Sequence, residues 1–287
     1  QVELDNTEDS QNLVLNSGRS KFTLSCLPTE DFPVLSGDEL PHNFELPAKA
    51  LRTLIDRTKF AISTEETRYY LNGIYIHVSD VDGTTKLRAV ATDGHRLAKV
   101  EVDCPQGAES MPGVIVPRKA VTELRKLAEE FGENIRVSVS DTRIRFSFDG
   151  VVFTTKLIDG TFPDYGRVIP TGNDKVLEVN TSDFSEAVSR VSAISSDKSR
   201  AIKLGLTAGN LLLSVISTEN GSAVEELGVD YAADGVEIGF NSRYLLDITQ
   251  QIEGDLARFT LADSASPTLV QDTSDDTTLY VLMPMRV

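Results

Sequence analysis

The stretch NIRVSVSDTRIRFSFDGVVFTTKL, residues 134–157, alternates apolar and polar residues. Six apolar side chains of its first two segments fall on one face: Ile135, Val137, Val139, Ile144, Phe146 and Phe148. The pair Asp149-Gly150 then favours a tight turn into a third segment. Alternation with a period of two is typical of strands that have one buried and one solvent-exposed face. The stretch therefore predicts an antiparallel meander with one solvent-exposed face.

Four amphipathic segments lie between such strands, and each has a recognisable start: residues 47–60, 117–131, 181–194 and 241–252. Pro47 and Pro117 stand at predicted first helical positions, the third segment begins on the hydroxyls of TSDFS, and the fourth begins on Asn241. Each segment carries one apolar stripe over about three turns, so we expect each helix to lie on a sheet. The sequence predicts the α+β class.

The same order of elements recurs along the chain. SKFTLSCLPTEDFP ends at Pro33, VVFTTKLIDGTFP ends at Pro163, and TTLYVLMP ends at Pro284, all in equivalent last strands. Before each of the two later prolines the order is strand, helix, meander, strand, helix, meander. Internal repetition of this length predicts repeated domains. We expect two complete domains at 43–173 and 174–287, each of two helix-plus-meander halves, after the remnant of a third domain at 1–42. The alternative for residues 1–42 is a simple N-terminal extension, although their predicted hairpin has no core of its own.

Composition restricts the class of protein. A hydrophobic share of 40%, a charged share of 25% and the lack of long apolar runs argue against disorder and against a membrane span. The net charge of −16 argues against a sequence-specific DNA reader, but it allows cations gathered on one surface. Cys26 and Cys104 form no CxxC pair, which suits a reducing, cytoplasmic location. No signal peptide is recognisable, and the start at Gln1 suggests that an upstream segment was removed or left out.

Six collinear motifs resemble the beta subunit family of bacterial DNA polymerase III, the sliding clamps. They are RYYLNGIYIHV, ATDGHRLAKV, GVIVPRKAV, KLIDGTFPDYGRVIP, GFNSRYLLDI and YVLMPMRV. The resemblance implies the DNA-clamp fold, in which two copies of a three-domain chain close into a ring with sheets outside and helices lining the hole. It further implies that this chain is N-terminally truncated and lacks one half of each subunit interface, which puts ring closure in question.

The resemblance also implies a function without catalysis. The chain would be a processivity factor, a homodimer around double-stranded DNA that binds without sequence preference and needs no cofactor. It would tether the replicative polymerase, while the clamp loader, repair polymerases and mismatch-repair proteins compete for the same groove. No membrane partner is implied. A ring-incompetent monomer that only binds peptides is the alternative.

A peptide groove between the second and third domains is the main site that the resemblance implies. Its residues would be Leu71, Thr92, Gly94, His95, Arg96, Leu97, Pro163, Arg167, Val168, Asn241, Tyr244, Ala265, Pro267, Val281, Leu282, Met283, Pro284, Met285 and Arg286. Apart from the resemblance, methionines around a proline in VLMPMRV suit a surface that accepts several partners. The alternative is a plain core strand. The arginines at 96, 167 and 286 would hold peptide carbonyls or carboxylates, or lie in solvent.

Two further surfaces are implied. DNA phosphates would meet Arg68, Tyr69 and Tyr70 on a loop, although Glu65 and Glu66 argue against that loop, and Arg118 and Lys119 at a helix start. The subunit interface would join Arg19, Phe22 and Leu24 to the segment around Ile194 of another copy. The alternative is packing within the N-terminal remnant, which we expect for Leu24 if the first domain is truncated.

The motif TDGHR also raises an enzymatic alternative, a hydrolase that uses Asp93 and His95. The chain has three histidines and none of the HxxxH, HxH or HExxH spacings of metal sites. A nucleophile with its base cannot be assigned. We therefore expect TDGHR to form a turn between two strands, with Gly94 in a conformation that a side chain would hinder.

Overall fold

The computed structural model of the chain describes residues 1–6, 11–32, 39–131, 133–195 and 200–287. These residues form two compact units, Gln1–Glu39 and Leu40–Val287. Within the described ranges, no helix is both long enough and apolar enough to cross a membrane.

The first unit contains a small antiparallel sheet in the order β1-β2-β3. Its strands are β1 (Glu3–Asp5), β2 (Asn12–Ser17) and β3 (Ser20–Ser25). None of the described side chains of this unit is buried. The hairpin therefore lacks a core of its own, as expected, while Pro33 of the first sequence repeat lies outside the described residues.

The first half of the second unit follows the predicted order of strand, helix and meander, twice. Its elements are β4 (His42–Pro47), α1 (Ala48–Asp56), β5 (Gly73–Val81), β6 (Thr84–Thr92), β7 (Arg96–Asp103), β8 (Val114–Pro117), α2 (Arg118–Glu130), β9 (Asn134–Val139), β10 (Arg143–Phe148) and β11 (Val151–Lys156). Short 3-10 turns at Lys59–Ala61 and Glu66–Leu71 connect α1 to β5.

The second half repeats this order with one added short strand. Its elements are β12 (Lys175–Asn180), α3 (Thr181–Ser192), β13 (Ala201–Thr207), β14 (Asn210–Ser217), β15 (Gly221–Gly228), β16 (Asp230–Tyr231), β17 (Val236–Asn241), α4 (Ser242–Thr249), β18 (Leu256–Leu261), β19 (Thr268–Asp272) and β20 (Asp275–Leu282). A linker containing the 3-10 turn Tyr165–Val168 joins the two halves. The repeated architecture predicted from the sequence is confirmed.

Within each half of the second unit, the strand that precedes one helix pairs with the meander that follows the other helix. β4 joins β9-β10-β11, and β8 joins β5-β6-β7; in the second half β12 joins β18-β19-β20, and β17 joins β13-β14-β15. Each strand-helix pair thus crosses from one sheet to the next, which ties the two sheets of a half together. The helices pack in pairs, α1 with α2 and α3 with α4.

One sheet continues from the first half into the second because β20 pairs with β7. The result is a nine-stranded sheet in the order β16-β12-β18-β19-β20-β7-β6-β5-β8. The register places Leu282 opposite Arg96 and Val281 opposite Leu97. The end of the chain therefore lies beside the turn that contains TDGHR, a long-range pairing that the sequence pattern does not reveal.

The meander at 134–157 forms as predicted. The six alternating apolar residues of β9 and β10 are all at most 8% exposed. Phe148 and Val151 pair directly, so Asp149-Gly150 makes a two-residue turn, and Gly150 has a φ of +75°. The predicted turn chemistry and the predicted buried face are both confirmed.

The helix starts differ from the prediction by one residue. Pro47 and Pro117 have ψ angles of 136° and 145°, so each is the last residue of a strand and the N-cap of the next helix rather than its first helical residue. The third helix is capped by Asn180, whose Oδ1 accepts the N–H of Asp183 at 3.0 Å, and not by a hydroxyl. The expected cap at Asn241 is present.

Candidate functional site

The turn between β6 and β7 is organised by the side chain of Asp93. Its Oδ1 accepts hydrogen bonds from the backbone N–H groups of His95 and Arg96 at 2.9 and 3.0 Å. Gly94 has a φ of +89°, a conformation that favours glycine. A Cβ at this position would also lie 2.8 Å from Nη1 of Arg68. Backbone geometry therefore accounts for both Asp93 and Gly94, as the turn interpretation predicted.

The imidazole of His95 stacks on Tyr244 of α4, with ring centroids 6.4 Å apart. The second oxygen of Asp93 accepts from Nε of Arg96 at 3.1 Å. Burial, followed by the negative charge of Asp93, raises the pKa of the Tyr244 hydroxyl. The acid and the imidazole are thus engaged with other partners and do not form the pair that a hydrolase would need.

Arg96 is buried, and its guanidinium bonds to three protein groups. Its N–H groups donate to Asp93, to Oδ2 of Asp247 on α4 at 2.5 Å, and to the carbonyl of Phe60 at 2.6 Å. The guanidinium carbon also lies 4.3 Å from the centroid of Tyr244. The alternative that Arg96 lies in solvent is therefore wrong, whereas the expectation that it holds peptide carbonyls or carboxylates stays a prediction. Its bonds tie the start of β7 to α4.

An apolar cavity of about 180 Å³ opens beside this turn. Leu71, Leu97 and Val281 form a floor that is at most 4% exposed, whereas Val168 and Met283 are 46% and 40% exposed. The complete lining is Leu71, Thr92, Gly94, Arg96, Leu97, Pro163, Asp164, Tyr165, Val168, Val281 and Met283. A buried apolar floor with an accessible apolar rim can receive an apolar side chain from outside.

The cavity lies where three parts of the chain meet. The N–H of Met283 donates to the carbonyl of His95 at 2.9 Å, which extends the pairing of β20 with β7 beyond the last strand residue. The linker supplies Pro163 and Val168, and the 3-10 turn before β5 supplies Leu71. Nine of the predicted groove residues thus come together around one cavity.

A second cavity of about 590 Å³ lies along the C-terminal segment. Its lining is Lys203, Glu237, Gly239, Ser264, Ala265, Pro284, Met285, Arg286 and Val287. The N–H of Met285 donates to the carbonyl of Gly239 on β17 at 2.9 Å. Four more predicted residues, Ala265 and Pro284 to Arg286, are therefore in this cavity and not in the first.

The remaining predicted groove residues are not among those that line these two cavities. Leu282 is 1% exposed and belongs to the core. Oδ1 of Asn241 accepts the N–H of Arg243 at the start of α4. Arg167 is 85% exposed and pairs with Asp164 at 2.8 Å. The carbonyl of Pro267 accepts from the Asn173 side chain at 2.9 Å. His95 and Tyr244 form the stacked pair described above.

Several lining residues were missed by the sequence analysis. Asp164 and Tyr165 line the first cavity, and their position between Pro163 and Arg167 was a signal that could have identified them. Lys203, Glu237 and Gly239 line the second cavity from β13 and β17. No sequence signal could have found these, because the approach of the C-terminus to β17 depends on tertiary structure.

The residues predicted to contact DNA differ in their exposure and in whether another side chain already pairs with them. Arg118 and Lys119 begin α2, are exposed, and have no ion pair within the described part of the chain. Nε of Arg68 lies 3.2 Å from Glu65, as the neighbouring acids suggested. Tyr69 is 54% exposed and packs edge-on against Tyr70, with centroids 5.7 Å apart.

The predicted interface residues are also accessible in part. On β3, Phe22 and Leu24 are 54% and 46% exposed, and Arg19 precedes the strand on the surface. The expectation that Leu24 packs inside its own unit is therefore wrong, because three strands without a helix offer it no core. Ile194 is half-buried, and its carbonyl accepts from the Asn220 side chain at 3.3 Å.

Comparison with known proteins identifies the family. The family model described as DNA polymerase III beta subunit, central domain, matches residues 45–164, and the one described as its C-terminal domain matches residues 166–286. The beta sliding clamp of Caulobacter vibrioides is 52% identical over 286 residues, a match that covers 100% of this chain and 77% of that protein. This chain belongs to the beta sliding clamp family. The resemblance inferred from six motifs is confirmed.

Solved sliding clamps share the fold as well as the sequence. The Caulobacter crescentus beta sliding clamp superposes with a TM-score of 0.95 at 52% identity, covering 100% of this chain and 76% of that one. The Bartonella birtlesii sliding clamp, solved bound to griselimycin, gives 0.92 at 53% identity, covering 97% and 75%. The chain therefore has the sliding-clamp fold and the function of a DNA sliding clamp of DNA polymerase III. A sliding clamp is not an enzyme, which agrees with the turn role of Asp93.

Proposed function

We propose that this sliding clamp holds its partner proteins through the apolar cavity beside the TDGHR turn. The observation that carries the proposal is the buried floor of Leu71, Leu97 and Val281 under an accessible rim. The replicative polymerase subunit, the clamp loader, repair polymerases and mismatch-repair proteins would compete for this one groove. Competition for a single groove would let the clamp serve one partner at a time.

The size and chemistry of the cavity favour a short apolar peptide. Its volume of about 180 Å³ is below the roughly 300–1,000 Å³ of pockets for drug-sized ligands, so it fits one or two side chains. Met283 lines the first cavity and Pro284 lines the second, so a bound peptide could pass directly from one to the other. Met283 and Met285 can adapt their shape to different partners.

A matched pair of substitutions tests the groove. We expect Val168→Asp to weaken binding of a fluorescein-labelled apolar pentapeptide by at least about tenfold, because a charge at the rim must lose water when the peptide binds. Fluorescence polarisation measures the affinity. Val176→Asp is the control, because Val176 is also about half exposed, at 43%, but lies on β12 away from the cavity lining. Equal affinity of both variants would contradict the proposal.

We also propose that the clamp contacts duplex DNA through phosphates, without reading sequence. Arg118 and Lys119 at the start of α2 support this, because they are exposed and form no ion pair with any residue that the structure describes. They are thus available to replace counterions despite the net charge of −16. Arg68, Tyr69 and Tyr70 are weaker candidates, because Glu65 already pairs with Arg68. The helices would then face the DNA and the sheets would lie outside.

Salt dependence tests the DNA proposal. The slope of log affinity against log salt should be shallower by about 1 to 2 in the double variant Arg118→Ala/Lys119→Ala than in the unmodified chain, since each phosphate contact contributes about 0.9. Lys126→Ala on the same helix is the control, because Lys126 already pairs with Glu123 at 3.1 Å. Filter binding over a salt series gives the slope. An unchanged slope in the double variant would rule out these two contacts.

The domain boundaries, the subunit interface and the cellular location are proposals as well. We propose a remnant of the first clamp domain at 1–42, the second domain at 43–173 and the third at 174–287. The exposed Phe22 and Leu24 support a homodimer interface with the segment around Ile194 of another copy. The free thiols of Cys26 and Cys104 fit the cytoplasm. Sedimentation as a single copy would favour the monomeric peptide-binding alternative.

A further inference from the structure

A hydrogen-bonded cluster joins the wall of the first cavity to the central sheet. The hydroxyl of Tyr165 lies 2.9 Å from Nε2 of His77 on β5 and 2.7 Å from Nη1 of Arg88 on β6. The 3-10 turn that begins at Tyr165 ends at Val168, and both residues line the cavity. The position of this wall is therefore set by bonds made on the side of the linker that faces the sheet.

The geometry assigns the protons of the cluster. Nδ1 of His77 lies 2.9 Å from the carbonyl of Val78, and a carbonyl can only accept, so Nδ1 carries the hydrogen. In the neutral ring Nε2 then has a free lone pair, which accepts the hydroxyl hydrogen of Tyr165. The Tyr165 oxygen in turn accepts from Arg88. Only the neutral ring of His77 can accept the hydroxyl hydrogen of Tyr165.

The surroundings of His77 favour the neutral ring. The titratable and charged groups around it come from its own strand, two neighbouring strands and the linker: Tyr75 of β5, Arg88 of β6, Glu101 of β7 with its partner Lys99, and Asp164 and Tyr165 of the linker. Burial lowers the pKa of His77, and the positive charge of Arg88 acts in the same direction, against the Val78 carbonyl and Glu101. Arg88 pairs with Glu101 at 2.6 Å, which partly offsets its charge.

We propose that His77 and Tyr165 are positioning residues that hold the linker wall in the shape required for peptide binding, and that the groove loses affinity when His77 takes up a proton. The inference rests on the proposed peptide-binding function. A protonated Nε2 would become a donor facing the hydroxyl of Tyr165, and its charge would face Arg88. The hydroxyl hydrogen of Tyr165 would have to turn away, and its oxygen would then face two cationic donors, Nε2 of His77 and Nη1 of Arg88. Repulsion between these two charges would loosen the hold on the linker.

The expected change of peptide affinity with pH follows from the requirement that His77 be neutral. The cluster is complete above the ordinary histidine pKa of about 6.5, and it is lost as the pH falls through the lower pKa of folded His77. When the wall is correctly placed in only a fraction of molecules, the apparent dissociation constant rises by the inverse of that fraction. Affinity should therefore be constant near neutral pH and should fall in acid.

The test is fluorescence polarisation of the labelled apolar pentapeptide on the full chain, between about pH 5 and pH 8. We expect His77→Gln to bind like the unmodified chain at neutral pH, because a glutamine oxygen can accept from Tyr165, and to lose the fall in acid. Tyr165→Phe should bind about fivefold more weakly at neutral pH, with a flatter profile. His95→Gln is the matched control, because His95 is the other histidine beside the groove, and this variant should keep the fall in acid.

The outcomes separate the inference from the function on which it rests. If the unmodified chain does not bind the peptide at neutral pH, the proposed peptide-binding function fails. If it binds, but His77→Gln keeps the full loss of affinity in acid, the positioning role of His77 is wrong while the groove stands. If His95→Gln abolishes the fall instead, the titrating group is in the turn and the inference is overturned. Should Tyr165→Phe not fold, as judged by thermal melting, the profile of His77→Gln alone decides.

Discussion

Replacing Arg96 by methionine should lower the free energy of unfolding by about 2 to 3 kcal/mol, because two partly buried carboxylates lose their bonded cation. Asp247 would keep the more distant Arg243, at 3.9 Å. Asp93 and Asp247 are 17% and 24% exposed, so water relieves part of the cost and the effect stays below the largest values for buried pairs. The carbonyl of Phe60 also loses its donor. For a unit of this size the melting temperature should fall by roughly 6 °C.

Arg167→Met provides the matched control for this prediction. Arg167 was predicted from the sequence to act like Arg96, yet it is 85% exposed and forms a surface ion pair with Asp164. Its loss should change the free energy of unfolding by no more than about 0.5 kcal/mol. Urea denaturation of both variants gives the comparison. If the two arginine variants were equally stable, the hydrogen bonds of Arg96 would not matter for the fold.

Local chemistry explains why some features were predictable from the sequence. The alternation from Ile135 to Phe148 and the turn at Asp149-Gly150 depend on neighbouring residues, so strand, face and turn all follow from the pattern. The helix starts were displaced by one residue because Pro47 and Pro117 keep the extended backbone of the strand before them. At such a position the strand and the helix compete for one residue, so the sequence predicts the existence of a helix better than its first residue.

The site was less predictable, because its geometry depends on pairings between distant parts of the chain. The resemblance to sliding clamps supplied Leu97 and Val281 as groove residues, but it did not show that β7 and β20 pair directly. The same motif made Arg96 look like a surface ligand, whereas α4 and Phe60 surround it. The position of Tyr165 against His77 likewise arises only when the linker folds onto the sheet.

Gly239 is expected to control the position of the C-terminal segment, so Gly239→Ala should release it. A Cβ on Gly239 would lie 2.4 Å from a methyl carbon of Val287 and 2.5 Å from the carbonyl oxygen of Met285. Such distances are far inside van der Waals contact, and β17 cannot retreat because it is paired with β13 in the sheet. The segment 284–287 should therefore move away from β17 and break the hydrogen bond between Met285 and Gly239.

Two measurements report this movement. Carboxypeptidase should remove the last residues of Gly239→Ala faster, and the apolar pentapeptide should bind roughly tenfold more weakly, because Met285 lines the second cavity and Met283 directly precedes the released segment. Gly205→Ala on the adjacent β13 is the control, since its added Cβ would meet Leu212 at an ordinary 3.7 Å. Faster digestion with unchanged affinity would show that the tail moves but that the peptide depends on the first cavity alone. Unchanged digestion would mean that β17 absorbs the methyl group, and the close approach of Met285 would then not be what positions the end of the chain.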